Sequence, residues 1–453
     1  MAKVRNTTRL IGNAGVTPGS YIISACKLTA SNGTVVEIRE LLTKIIITES
    51  IYTSSIDLSM VVLDGVNLFE SLKLNGDEKI ELLIKRQDLE TKDIDSHKHI
   101  FYISEIVNFA RTRNGSSSYE IRAVSKHIYV NNTKTLNVFK EGTIGTIVKQ
   151  ICKSDLKIDK MDINTSTHKN IKCIIPKLRP LAAINWLNKN AFSTNGAPFY
   201  FYETLAGKVK YKSYEDFAGQ DVSAEYIHSP VLNTTIGTPE YFKETSRRIR
   251  KLSSDLNLSK FVATSEGAFS SNTRNIDIAT KTYNKKGSEY TYGKITKLNN
   301  YDPFPTKNNS DQYDGRQVNS FPNGKNYFIS SNSLSYGDEQ FNYHNPSVDN
   351  IGKCQSYIST EDTLTHDIVI SGNFKLESGQ LIKITVNKTS AEDNVSDPID
   401  KMQTGKYLIT SIIHNFSDEY TMQVELKTNS FPADLNDIIT LEEEKDATEV
   451  VES

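Results

Sequence analysis

The sequence is poor in the residues that mark most chemistries. Its four cysteines, Cys26, Cys152, Cys173 and Cys354, stand far apart in 453 residues, and no CxxC pair occurs. That argues against a zinc site or a disulfide framework and fits buried thiols in a reducing compartment. No apolar run approaches the ~18 residues needed to cross a bilayer. The basic start "MAKVRNTTRLIGNAGV" is followed by no apolar h-region, so no signal peptide is expected. The chain is expected to stay in a cytoplasm-like space or to leave it without a conventional export signal. Charge of one sign is missing too: 53 Lys+Arg face 55 Asp+Glu. A protein whose main task is gripping nucleic acid usually shows a basic excess. Nucleotide and hydrolase signatures are absent: no GxxxxGK[ST], no GxGxxG after a strand, no GxSxG, no HExxH.

What is present is strand. Hydrophobic residues make up only 37% of the chain, but 22 Tyr and 18 Phe against a single Trp suit strands and interfaces. The length suggests about three domains. Leu41 to Asp88 carries apolar runs broken by Asp64-Gly65 and Asn75-Gly76, and Asn114-Gly115 follows as another hairpin-type turn. Around six strands with short turns point to a barrel or sandwich over residues 1–130. Near the C-terminus, Tyr420, Met422, Val424 and Leu426 alternate with polar residues, as in a half-buried strand. The run before it, Lys406 to Phe416, is apolar on both faces: Tyr407, Ile409 and Ile413 against Leu408, Ile412 and Phe416. Such a strand belongs in a closed barrel or at a subunit contact.

Residues 131–215 change period. Ile144, Ile147, Val148, Ile151 and Cys152 follow helical spacing, with Thr143 as N-cap. A second helix starts at Pro180 and presents Leu181, Ile184, Leu187 and Ala191 on one face, with Asn195-Gly196 as its stop. A strand, a turn at Gly207 and another strand complete a small α/β unit. Residues 216–240 and 351–430 return to strands and read as a second barrel. Between them, 241–350 is polar and dense in Asn, Pro and Gly, and reads as a loop-rich insertion. The tail, 431–453, ends in acidic "LEEEKDATEVVES" and is expected to be disordered.

Candidate sites all have plainer explanations. His414 sits alone on an apolar strand face with no partner motif, which fits a structural histidine. His97 and His99 could chelate a metal from one side of a strand, but no third ligand is in view, and a solvated strand end is expected. "NSDQYDG", Asn309 to Gly315, puts Tyr313 where a calcium loop needs an oxygen ligand. "FYFYE", Phe199 to Glu203, could stack bases. Without a basic surround it is expected to be a strand buried against the Pro180–Phe192 helix. No catalytic, cofactor-binding or metal-binding residue is assigned, and no interface residue can be named.

Several stretches together resemble one family, the baseplate hub proteins of contractile-tailed phages. "IIITESIYTSSIDLSMVVLDGVNLFESLKLNGDEKIELLI" is similar to the family's first barrel at Glu49, Ser50, Ile51, Asp64, Asn67, Leu68, Gly76 and Glu78. "RPLAAINWLNKNAFSTNGAPFYFYETLAGKVKYKS" resembles its helix and hairpin at Ala183, Ile184, Leu187, Ala191, Phe201, Tyr202, Glu203 and Gly207. "SEGAFSS", Ser265 to Ser271, with Asp277 downstream, is similar to a short segment that follows. "ISGNFKLESGQLIKITV" resembles a strand pair, although Gln380 stands where the family often has an acid. Gly405, Tyr407, Leu408, Ile409 and His414 match a last strand. The likeness spans most of 20–430 in the family's order, and 300–350 has no counterpart.

The resemblance implies a mainly β fold with α+β insertions: two tail-tube-like β-barrels per chain plus smaller inserted domains. It implies a homotrimeric ring joining a six-fold tail tube to a three-fold central spike or needle. Tail tube proteins, the tape-measure protein and other baseplate proteins are the implied partners. DNA would pass through without specific binding, in keeping with the neutral charge, since even six to ten phosphate contacts give roughly 10⁻⁴ to 10⁻⁶ M affinity. The implied place is the virion baseplate, assembled in the host cytoplasm. No enzyme activity and no cofactor are expected. The alternatives are a hub-associated cell-wall hydrolase, or the spike base of a contractile injection or secretion system.

Overall fold

The computed structural model describes residues 18–433 except 77, 88–93, 112–114, 168–169, 230–237, 257–259, 278–280, 284–287, 294, 302–324, 331–333, 337–346 and 389–398. The Asn309–Gly315 loop, Asn114 of one expected turn and the acidic end Leu441–Ser453 lie outside the described residues. The chain is mainly β with smaller α+β insertions.

The first unit runs β1 (Ile22–Thr29), β2 (Val35–Glu37), β3 (Leu42–Ser50), β4 (Asp57–Asp64), α1 (Leu68–Ser71), β5 (Lys79–Gln87), β6 (Ile94–Arg111) and β7 (Ser117–Ser125). Its main strands lie in the order β1-β5-β6-β7-β4-β3, all antiparallel. The α/β insertion follows: α2 (Lys126–Asn132), β8 (Phe139–Thr143), α3 (Ile144–Ser154), β9 (Met161–Ile163), β10 (Asn170–Ile174), α4 (Pro180–Asn188), β11 (Phe199–Thr204), β12 (Lys208–Ser213) and α5 (Tyr214–Ala218). Thr143 caps α3, its hydroxyl accepting from the Thr146 N–H at 3.2 Å, and Pro180 opens α4. α4 ends at Asn188, before the expected Asn195-Gly196 stop. Phe199 and Phe201 join a core with Ile147, Ile151, Ile184 and Leu187.

The remaining elements are β13 (Val222–His228), α6 (Pro239–Arg247), β14 (Lys251–Leu256), α7 (Lys260–Ser265), β15 (Ser270–Asp277), β16 (Thr282–Tyr283), β17 (Ser288–Thr291), β18 (Asn326–Ser330), β19 (Leu334–Tyr336), α8 (Ser347–Thr360), β20 (Leu364–Ser371), β21 (Leu381–Val386), β22 (Gly405–Phe416) and β23 (Tyr420–Thr428). β15 to β18 form a small separate sheet. β14, from the stretch read as loop-rich, pairs with β20 along its whole length. Its residues are mostly polar and exposed, so alternation does not reveal it.

The second barrel lies in the order β13-β21-β22-β23-β20-β14. Taking the six strands of each barrel in chain order, both read 1-4-5-6-3-2. Each ring closes by a short backbone contact. In the second, the Ile249 N–H donates to the Ile227 carbonyl at 2.9 Å. In the first, the Tyr420 N–H donates to the Gly19 carbonyl at 2.8 Å, and the Tyr21 hydroxyl donates to the Ser417 carbonyl. The tip of the second barrel's own hairpin therefore completes the first barrel.

β22 is the joint, and it corrects the two-faced reading of Lys406–Phe416. It pairs with β21 up to Leu408, changes partner, and pairs with β3 from Ser411 to Phe416. A bulge at Thr410 shifts the alternation by one residue. Tyr407 and Ile409 before it, and Ile412 and Phe416 after it, thus enter the same core. Leu408 faces outward, where Tyr202, Phe217 and Tyr357 of the chain's own insertions cover it. The apparent second face is an intramolecular contact.

Candidate functional site

Some of the residues shared with the hub resemblance, Glu49, Glu203 and His414 among them, lie where the first barrel meets the second barrel or the α/β insertion. Glu49, near the end of β3, is fully buried. Its carboxylate accepts from the Leu205 N–H of the β11–β12 turn and from the Ser378 N–H of the β20–β21 loop, the latter at 2.9 Å. One side chain of the first barrel so holds the insertion and the second barrel. His414 Nε2 lies 3.8 Å from Glu49, and its Nδ1 is 2.8 Å from the Tyr420 hydroxyl. Tyr420 stacks on Phe416 with ring centroids 4.3 Å apart.

Two further carboxylates repeat the device. Glu203, on β11, accepts from the Ile56 N–H at 3.1 Å and the Ser125 hydroxyl, both in or beside the first barrel. Burial pushes its pKa up, against the pull of the nearby His127. Glu361, just past α8, accepts from the hydroxyls of Tyr52 at 2.6 Å and Tyr200 at 2.9 Å. It too is raised by burial. A buried carboxylate needs such donors to offset desolvation. Here every donor comes from a different part of the chain.

The glycines of the resemblance have geometric reasons. A Cβ on Gly372 would fall 1.9 Å from the Tyr420 ring. Gly379 has φ +81°, and a Cβ there would meet the Tyr202 hydroxyl at 2.2 Å. Asp64 and Glu78 act locally. Asp64 accepts from the Val66 and Phe69 N–H groups, and Glu78 from those of Asn75 and Gly76.

His97 and His99 do not form the solvated strand end expected of them. His97 packs edge-on to Phe374 of the second barrel at 4.8 Å, and His99 is buried beside Gly207 of the α/β turn. Burial lowers the His99 pKa to about 3. His366, which the sequence did not single out, bridges β14 and β22. Its Nε2 is 3.0 Å from the Tyr407 hydroxyl, which donates onward to the Gln403 carbonyl, so Nε2 carries the proton. Ser254 then donates to Nδ1 at 2.7 Å. Burial lowers this histidine to about 4. A polar–apolar run such as "THDIVIS" carries no sign that its histidine turns inward.

Chemically the junction binds its own chain. Both oxygens of Glu49 and of Glu361, and Oε2 of Glu203, accept from internal donors. Grooves among the described residues open elsewhere, around Arg86 and Tyr226, around Ser59 and Arg122, and around Phe69 and Phe109. Among the described residues no three His, Cys, Asp or Glu side chains gather as metal ligands do. Cys26 and Cys152 are buried and Cys354 half-buried, and burial pushes all three thiols up to about 12.

No family model matches the chain, and no curated protein matches it in sequence. Among solved structures it is similar to a tail protein from Neisseria meningitidis MC58, at 10% identity and TM-score 0.49, covering 90% of this chain and 96% of that one. A 43 kDa tail protein of prophage MuSo2 from Shewanella oneidensis follows at 11% identity and TM-score 0.47, covering 91% and 99%. The prophage tail protein gp18 from Listeria monocytogenes EGD-e gives 9% identity and TM-score 0.47, covering 93% and 99%.

Proposed function

We propose that this chain is a structural subunit of a phage baseplate hub. Three copies form a ring that joins the tail tube to the central spike and leaves a channel for DNA and the tape-measure protein. The observation that carries this reading is the repeated barrel: one strand order, twice, joined edge to edge through β3 and β22. A chain holding two like units side by side supplies six such units from three copies. It therefore adapts three-fold to six-fold symmetry. The motif residues support the same reading, because Glu49 and His414 lie at the joint that fixes one barrel against the other and Glu203 ties the α/β insertion to the first barrel.

The role is non-enzymatic, and what supports this is that the buried Glu49 and Glu361 carboxylates are engaged by donors of the chain itself. The partners are a second and third copy, the spike, the tube and the tape measure, and the place is the virion tail. Mass photometry of the full chain tests the ring, with trimers expected at micromolar concentration and moderate salt. A chain that stays monomeric overturns it. Clearing of purified cell walls that vanishes on replacing a single Asp or Glu overturns the non-enzymatic role.

A further inference from the structure

The two barrels differ at one edge. In the second, the far edge of β22 beyond Thr410 is taken by β3, from Ser411 opposite Ser50 to Phe416 opposite Ile45. In the first, β6 carries the matching bulge at Ser104. Its stretch Glu105–Arg111 pairs with β7 on one side, in matching register from Glu105 to Val107 and with a second bulge between Val107 and Ala110, and pairing with β5 on the other side stops at Tyr102. No strand among the described residues takes the far edge of Glu105–Arg111.

The complementary half is also present. β14 fills in the second barrel the slot that β3 fills in the first. Aligned through β4 and β20, and β7 and β23, Lys251–Leu256 matches Lys44–Glu49 residue for residue. β3 is paired on both edges, whereas β14 pairs with β20 alone among the described strands. The chain thus repeats both sides of its internal joint without bringing them together.

We propose that β14 of one copy adds antiparallel to β6 of a second copy, in the register that β3 uses on β22. Ile412 opposite Glu49 translates to Ile106 opposite Leu256 of the neighbour, and Ile413 opposite Thr48 to Val107 opposite Asp255. The seat suits the guest. Leu256 is 52% exposed in the single chain. The groove beside β6 is lined by Phe69, Leu74, Ile103, Ile106 and Phe109 together with Glu105 and Arg111, and the Phe69 and Phe109 rings lie 5.6 Å apart. Where the internal joint uses a carboxylate against the Ser378 N–H, the external one sets the apolar Leu256 beside Ile106. Both bare edges are hazards if left open, and a second copy covers them. The contact is head-to-tail, so each copy gives one strand and receives one, and three copies close.

This pairing rests on the ring reading, and the test separates the two. Full-length chain carrying Ile106→Cys and Leu256→Cys is mildly oxidised and run on a non-reducing gel. Covalent dimers and trimers are expected, and neither single variant forms them. Leu256→Arg is exposed and leaves the melting point of the monomer unchanged. It weakens ring association more than about tenfold in mass photometry. Rings that form without the cross-link, and that tolerate Leu256→Arg, overturn the β14–β6 pairing and leave the ring standing. A wild-type chain that stays monomeric overturns both.

Discussion

β3 and β14 fill the same slot in their barrels, yet they are written in different residues. β3 reads Leu42–Ser50 with Ile45 and Ile47 fully buried. β14 reads "KLSSDL" and exposes every residue but the half-buried Leu252. One is a central strand with both edges paired and the other is an outer edge, so position within the sheet has set composition while the fold stayed constant. The first strands differ as well: β1 runs antiparallel to β5, but β13 runs parallel to β21. β13 also lies parallel to Arg248 where the second ring closes, which requires a crossover, and α6 supplies it. What stays the same is the bulge. The Ser104 hydroxyl donates to the Arg122 carbonyl at 3.1 Å, and at the matching position the Thr410 hydroxyl lies 3.2 Å from the Glu425 carbonyl and 2.6 Å from the Glu425 carboxylate, which takes its proton.

The largest break in this comparison comes from removing the joint's anchor. Glu49→Ala leaves the Leu205 and Ser378 N–H groups buried without their acceptor. It should cost about 3–5 kcal/mol in denaturant unfolding. Glu49→Gln, which keeps one oxygen, should cost less. Leu256→Ala, at the same slot in β14, should change the single chain by under about 0.5 kcal/mol. Equal losses at the two positions would end the claim that one edge is internal and the other external.

Acid comes next. His99 in the first barrel and His366 in the second have folded pKa values lowered to about 3 and about 4 from an ordinary 6.5. Their stabilising contribution is whole above pH 6.5 and is lost as pH falls through the folded values. Each contributes on the order of 3 kcal/mol across that window. Glu203 and Glu361, raised by burial, work in the opposite sense: their penalty sets in as pH rises through their folded values. Melting points measured from pH 7 to pH 4 should fall, and His366→Gln should flatten the slope. A slope that His366→Gln leaves unchanged would show that this histidine is not buried as a neutral ring.

The smallest effects sharpen the repeat itself. Thr410→Val removes a buried hydroxyl that donates to the Glu425 carboxylate beside the bulge and should cost about 1–2 kcal/mol. Ser104→Ala removes the bond to the Arg122 carbonyl at an exposed site and should cost under about 0.5 kcal/mol in the single chain. Urea unfolding of the two variants side by side reads the difference.

Much of the fold was open to direct reading. Alternation marked β23, helical spacing and a capping threonine marked α3, and Pro180 marked the start of α4. The motif residues Glu49, Glu203 and His414 were visible as a pattern, but the joints they form were not. The bulge at Thr410 leaves no signature, so a one-residue phase shift looked like a second apolar face. β14 was hidden because an edge strand in the single chain has little to bury. His97 and His99 looked solvated because the surfaces that cover them come from Phe374 and Gly207, far along the chain.

By itself the sequence determined the local elements: where strands alternate, where helices start and which turns need glycine. Those properties depend on neighbours a few residues away, and backbone sterics and side-chain period settle them. Only the tertiary structure decided that two barrels share one core. It also decided that β3 pairs with a strand more than 350 residues distant and that three buried glutamates tie separate units together. Such contacts depend on which groups remain unsatisfied once every local element has formed, and a buried carboxylate finds its donors wherever the folded chain brings them.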